Sequence, residues 1–342
     1  MNYEEFKKAV IENFSSFLPD RYQNVEVSTA RGMKVNREID SLVCRDLTSN
    51  VNAGPSIPID DMFDKYENGE SFDEIMSKVA EIVTGALDDM PKELTSDGLD
   101  FEGAKDKIVM CLVNTEQNRE MLKHVPHREF EDLSIIYRWC IKNDHDGMRS
   151  TIVNDGLAER IGVNEEELYR LASENTKKIL PITVRSMEDV ISEMIMGDIM
   201  GGVPQKDEDE IAFEEMISDL STQNPMYVIS NKSNMFGASA ILYEENLRML
   251  AEKLDDNLFI LPSSIHECIA VPASMGIAEE LSAMVLEVNT EQVELADRLS
   301  NNVYHYDKDM RTLKLASDNP VKRLDGKVAD TPADYNHDGQ KR

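Results

Sequence analysis

The chain is short of cationic residues, has no long apolar run and no closely spaced cysteines, and each shortage removes a class of function. Lys and Arg total 36 against 66 Asp and Glu, so the formal net charge is −30 over 342 residues. Polyanions are held largely by Lys and Arg displacing their counterions, so direct binding to nucleic acid or to an anionic membrane surface is disfavoured. No window approaches the roughly 18 apolar residues that a membrane-spanning helix needs. "IVMCLV" and "SIIY" are the longest obvious runs. The opening "MNYEEFKKAVIENF" puts acids and lysines where a signal peptide carries its apolar segment, and a soluble, cytoplasmic protein is expected. Cys44, Cys111, Cys140 and Cys268 lack C-x-x-C spacing, and each lies in or beside an apolar run, which favours reduced core thiols over disulfide or metal chemistry. Neither G-x-x-x-x-G-K-[ST] nor G-x-G-x-x-G occurs, so no cofactor is expected.

What is present reads as α+β, in strand-strand-helix units forming antiparallel or mixed sheets packed with helices. Residues 1–100 carry an amphipathic helix (Phe6, Val10, Phe14, Phe17), a long hairpin around a Gly-containing break, and two further helices. Ser71 followed by Glu74 is a capping-box signal for the second of these. Residues 101–185 form a central strand-strand-helix module, with "DKIVMCLVN" as a buried strand and Asn164 as a helix cap. In the C-terminal module, 225–316, "MYVISN", "GASAIL", "NLFIL" and "ECIAV" read as strands, with "YEENLRMLAEKL" and "GIAEELSAMVLEVN" as helices. Residues 317–342 are polar and proline-punctuated, the composition of a disordered tail.

Residues 186–224 differ in character, an acidic, Met-rich helical insert. Met187, Met194, Met196, Met200, Phe213 and Met216 supply an adaptable apolar surface, although the same spacing also serves ordinary core. The insert is the first candidate for a partner surface, and a homo-oligomer is one form that partner could take.

Five phrases together, "MNYEEFKKAV", "PHREFEDLSIIYRW", "GVNEEELYRLASENT", "LFILPSSIHECIAVP" and "NNVYHYDKDMRTLKLA", resemble a bacterial family catalogued as domain of unknown function 5688, almost to residue 316. Residues 131 to 178 are also similar to domain of unknown function 1444. The resemblance implies a bacterial cytosolic protein and carries over no catalytic residue.

"PSSIHE" is the densest collection of reactive side chains. Ser263 or Ser264 as nucleophile, His266 as base and Glu267 as orienting carboxylate would supply an acyl-transfer site, with His305 of "VYHYDKD" as a second imidazole. Strand alternation opposes this, since His266 and Glu267 would point to opposite faces, and G-x-S-x-G is missing. The plainer alternative is a turn whose serines satisfy its own backbone. Likewise Tyr304 and Tyr306 fall on one face of a strand and His305 on the other. Among metal motifs, "HVPH" has a proline between its imidazoles, and Asp334, Asn336 and Asp338 occupy alternate positions of a calcium loop that lacks its closing Glu. Three functions stay open: a non-catalytic protein-interaction module, a hydrolase-like enzyme using Ser263 or Ser264 with His266 or His305, and an acidic nucleic-acid mimic that blocks a DNA-binding protein.

Overall fold

The fold is described from a computed structural model for residues 1–22, 24–48, 54–88, 101–144, 147–199, 225–317, 320, 321 and 324. It is α+β, and the chain divides into two compact units, Met1–Lys105 and Asp106–Arg342.

In the first unit, helix α1 (Tyr3–Asn13) begins with a capping box between Asn2 and Glu5. Strands β1 (Val25–Lys34) and β2 (Arg37–Asp46) form the expected antiparallel hairpin. Its turn falls within the Gly-containing break, at Val35 and Asn36: Asn36 takes the left-handed backbone (φ 67°) that the turn requires, while Gly32 pairs with Ile39 inside the ladder. Strand β3 (Ser56–Pro58) joins β2, followed by α2 (Ile59–Glu67), α3 (Phe72–Asp88) and the short α4 (Phe101–Ala104). Phe6, Val10 and Phe14 are fully buried against Leu42, Ile59 and Met76, which makes the N-terminal helix part of this core. Ser71 and Glu74 exchange the capping bonds that their spacing announced.

The second unit holds two antiparallel sheets. In one, β4 (Ile108–Asn114), buried at every residue, pairs with β6 (Leu133–Asp144), which is flanked by β5 (His127–Phe130) and β7 (Gly147–Ile152). Short helix α5 (Arg119–Leu122) leads into β5, and α6 (Asp155–Ile161) and α7 (Glu165–Ile179) follow β7. Helix α7 lies against β4, where the Thr176 hydroxyl accepts the Met110 N–H at 2.9 Å.

The other sheet has six strands: β8 (Ile182–Ser186), β9 (Tyr227–Asn231), β10 (Leu258–Leu261), β11 (Cys268–Pro272), β12 (Tyr304–Asp307) and β13 (Thr312–Leu315). Their order is β13-β12-β10-β11-β9-β8, with β8 at one edge. Three helices accompany it: α8 (Met187–Ile199), α9 (Glu244–Leu254) and α10 (Ala278–Gln292). "GASAIL" is not a strand. Phe236 enters the left-handed region (φ 56°) and turns the chain into a 3-10 segment, Gly237–Leu242, whose small residues are buried. Strand β8 lies in the sheet of the C-terminal module, so that sheet begins before the insert. Of the stretch after residue 316, Val321 exchanges hydrogen bonds with the Asn302 side chain and Leu324 is buried; the expectation of disorder otherwise falls outside the described residues.

Candidate functional site

The strand registers give the six-stranded sheet two faces of different character. Leu258, Ile260, Cys268, Ala270, Ile229, Tyr304 and Tyr306 share one face, and each is 0% exposed. There the tyrosine hydroxyls reach carboxylates, Tyr306 donating to Glu244 at 2.6 Å and Tyr304 to Asp132. Asp132 also accepts from the Ser300 hydroxyl and the Asn302 amide, both at 2.7 Å. Burial, then the neighbouring carboxylate, pushes both phenols above their ordinary range, and burial does the same to the Cys268 thiol.

Phe259, Leu261, Val271, Ile269 and His305 project from the opposite face. Helix α10 covers part of it through Val285 and Leu281. Towards β8 this cover ends, and a cleft of about 790 Å³ opens. Its floor is Thr183 and Arg185 of β8, Val228 and Ser230 of β9 and Ile269 of β11, adjacent because the registers align Arg185 with Val228 and Val228 with Ile269. Met187 and Val190 of α8 line it from above, and Glu267 and Lys232 stand at one end. Arg185 pairs with Glu193, whereas Lys232 makes no ion pair among the described residues.

The rim of the cleft is a strained loop. Asn234 and Phe236 both have left-handed backbones (φ 51° and 56°), a cost that persists only where surrounding contacts over-determine the chain. Here the Asn231 amide supplies those contacts, donating to the Met235 carbonyl at 2.9 Å and accepting from the Ser233 N–H at 3.0 Å. Phe236 is buried with the Arg138 guanidinium 4.5 Å from its ring centre and the His266 ring stacked at 5.9 Å. Arg138 donates to the Ser150 hydroxyl and carbonyl, and burial lowers its pKa.

"PSSIHE" lies behind this loop as a connection between β10 and β11. The Ser264 hydroxyl, on a residue 6% exposed, accepts the His266 backbone N–H at 3.0 Å. The carbonyls of Pro262 and Ser263 accept from Ser300 and Leu299. Among the described residues no hydrogen bond joins either serine hydroxyl to an imidazole. His266 Nδ1 accepts the Phe236 N–H at 3.4 Å, and its Nε2 stands 3.4 Å from the Asp297 carboxylate. Thus Asp297, not the adjacent Glu267, meets this ring, while Glu267 faces the cleft. His305 is elsewhere on the open face, edge-on to Phe259 at 5.5 Å.

No group of three or more His, Cys, Asp or Glu among the described residues is arranged to hold a metal ion, and Asp334, Asn336 and Asp338 lie outside those residues. The four cysteines are free and buried, with the Cys44 and Cys111 thiols pushed up to about 12 by burial. Of the Met-rich set, Met187 lines the cleft, Met194 and Met196 fall on α8, and Met200, Phe213 and Met216 lie outside the described residues.

Residues 3–308 match the family of unknown function DUF5688. The chain belongs to this family. No curated protein and no solved structure matches it. In this DUF5688 protein the matched segment contains the cleft, its rim loop and the Asp132 cluster, and ends before β13. Asp132 and Asp297 carried no sequence signal, because their partners Tyr304, Ser300 and Asn302, and His266, are far away in the chain.

Proposed function

We propose that this DUF5688 protein is a cytoplasmic, non-catalytic bacterial interaction module whose open sheet face beneath α8 receives a protein partner. The observation that supports this most is the cleft itself: a half-covered sheet face where Val228, Ile269, Met187 and Val190 are interleaved with hydroxyl, amide and charged side chains, the mixed composition of a non-obligate protein-binding surface. Met187 and Val190 sit above that floor, so part of the Met-rich insert belongs to the same surface. The similarity of residues 131 to 178 to domain of unknown function 1444 stays part of this reading as a proposed kinship of the four-stranded sheet.

A photoreactive amino acid at Val228, in the cells that make the protein, tests the reading. One defined cross-linked partner is expected, absent when the same amino acid replaces exposed Ile82 of the first unit. Equal products at the two positions, or none at Val228, would overturn it.

A second reading, hydrolase-like chemistry, draws on one observation, the Asp297 carboxylate beside His266. A His oriented in this way is half of a nucleophile-activating pair. It requires the Phe236 N–H to release Nδ1 when substrate arrives. Ester or amide turnover lost in both Asp297→Asn and Ser264→Ala would favour it; absence of turnover by the intact protein across ester and amide probes would remove it.

A further inference from the structure

Among the described residues, strand β8 has no partner along one side of its backbone. Pro181 accepts from the Lys232 N–H, and the Met187 N–H donates to Met226, which fixes the phase of the β8–β9 ladder. In an antiparallel ladder hydrogen-bonded and non-hydrogen-bonded pairs alternate, so residues 183 and 185 turn their backbone groups towards β9. Ile182 and Val184 therefore direct their N–H and C=O groups outward, and no described strand pairs with them, while Ser186 ends the strand and caps α8, its hydroxyl accepting the Asp189 N–H at 3.1 Å. Helix α8 lies over β8 and β9 rather than beyond the edge. Within β8 no proline or lysine interrupts the strand, and its one charge, Arg185, is paired with Glu193.

We propose that this edge is occupied by β8 of a second copy of the chain, antiparallel and centred on Val184. The inference deepens the interaction-module reading by naming one partner and the strand that meets it. Self-pairing fits the sequence "ITVRS" in this register. Val184 meets Val184 of the second copy, Ile182 meets its Ser186, and Thr183 meets its Arg185, so like charges never stand directly opposite. The outward groups of residues 182 and 184 and the Ser186 N–H then complete about four N–H···O bonds across the two-fold axis. Because β8 presents no unpaired charge, it offers nothing that would select a basic or acidic foreign strand, whereas a second copy satisfies both its backbone and its side-chain pattern. Pairing also places Arg185 of the second copy beside Thr183 at the mouth of the cleft, so that the two clefts become one surface. Two chains of −30 repel at long range, and the dimer should therefore strengthen as salt is raised.

Sedimentation velocity of the full chain over a wide concentration range tests this, with Val184→Pro as the variant. Proline removes an N–H that makes no bond to a described residue, a substitution an edge strand tolerates. A concentration-dependent monomer–dimer equilibrium is expected, weakened about tenfold or more by Val184→Pro with circular dichroism unchanged. A chain monomeric throughout, or a dimer untouched by a folded Val184→Pro, overturns the proposal. Should that variant fail to fold, Val184→Cys with a bismaleimide decides: a covalent dimer supports the edge pairing, and its absence overturns it. Cross-linking at Val228 to a different protein from a monomeric chain would leave the interaction reading standing while this inference fell.

Discussion

The two faces of the six-stranded sheet are built from the same strands, yet one is closed by polar clamps and the other is left partly open. On the closed face Tyr304 and Tyr306 are wholly buried with hydroxyls on Asp132 and Glu244, so aromatic area and charge-assisted bonds act together. On the open face Phe259 and Ile269 remain partly exposed, and the cover contributed by α10 does not reach β8. On the proposed interaction reading the contrast separates stability from recognition: substitutions on the first face should unfold the protein, and substitutions on the second should cost binding.

The largest effect is expected where the rim loop passes behind the sheet. A Cβ at Gly237 would stand 2.2 Å from the Ser230 hydroxyl, 2.4 Å from the His266 carbonyl and 2.9 Å from the Asn231 nitrogen. Two of these atoms are backbone and cannot rotate away. Gly237→Ala should therefore destabilise by about 3 kcal/mol, the upper part of the range for overpacking, read as a shift in urea midpoint at constant slope. A loss below about 0.5 kcal/mol would mean that the loop is looser than its contacts imply.

Next comes the Asp132 cluster. Tyr304→Phe keeps the ring stacked on Phe130 at 6.0 Å but removes the hydroxyl from a carboxylate in a buried setting. About 2 kcal/mol should be lost, as for other hydrogen bonds to charged groups. Burial of this phenol, together with the carboxylate beside it, makes stability pH-dependent. A tyrosine whose folded pKa is raised keeps its proton when the unfolded chain, with a value near 10, releases it. Its stabilisation is complete below about pH 10 and is lost as pH climbs towards the folded value, at about 1.4 kcal/mol per unit for each such group. Tyr304 and Tyr306 both act in this direction, and so does the Cys268 thiol from a lower starting value. Unfolding followed at about pH 8 and about pH 10.5 should show this loss, and the doubly substituted Tyr304→Phe, Tyr306→Phe chain should lose less over the same interval. Equal losses in the two chains would contradict the assignment.

These sites also mark where sequence reading succeeds and where it stops. Local signals were legible: the capping residues Ser71 and Asn164, the strand alternation that sets Tyr304 and Tyr306 against His305, and the apolar periods of α1 and α9. Each depends on neighbours within a few positions. The hairpin turn lies within the Gly-containing break, but at Asn36, which tolerates a left-handed backbone, rather than at its glycine. "GASAIL" alternates little and is apolar; only the reversal at Phe236, held by Asn231 and His266, excludes it from the sheet. At the candidate site, Glu267 and Met187 were visible as residues, but their meeting across one cleft depends on β8 joining β9, a pairing across the whole insert. Asp297 beside His266 is equally non-local.

The smallest stability effect, and the sharpest test of the difference between the faces, belongs to Val228. It lies in the floor of the cleft between Arg185 and Ile269 and is only partly buried. Val228→Thr preserves its β-branched shape and replaces a methyl with a hydroxyl that can still reach water. Stability should therefore fall by no more than about 0.5 kcal/mol, as for other substitutions outside the core. A partner seated on the floor would have to strip that hydroxyl of water without offering it a hydrogen bond, so partner capture should weaken about tenfold. Binding unchanged in Val228→Thr, with photo-cross-linking at Thr183 also silent, would move the partner off this face altogether. A large loss of stability would instead mean that α8 packs on Val228 as ordinary core, and the two faces would then differ in composition but not in role.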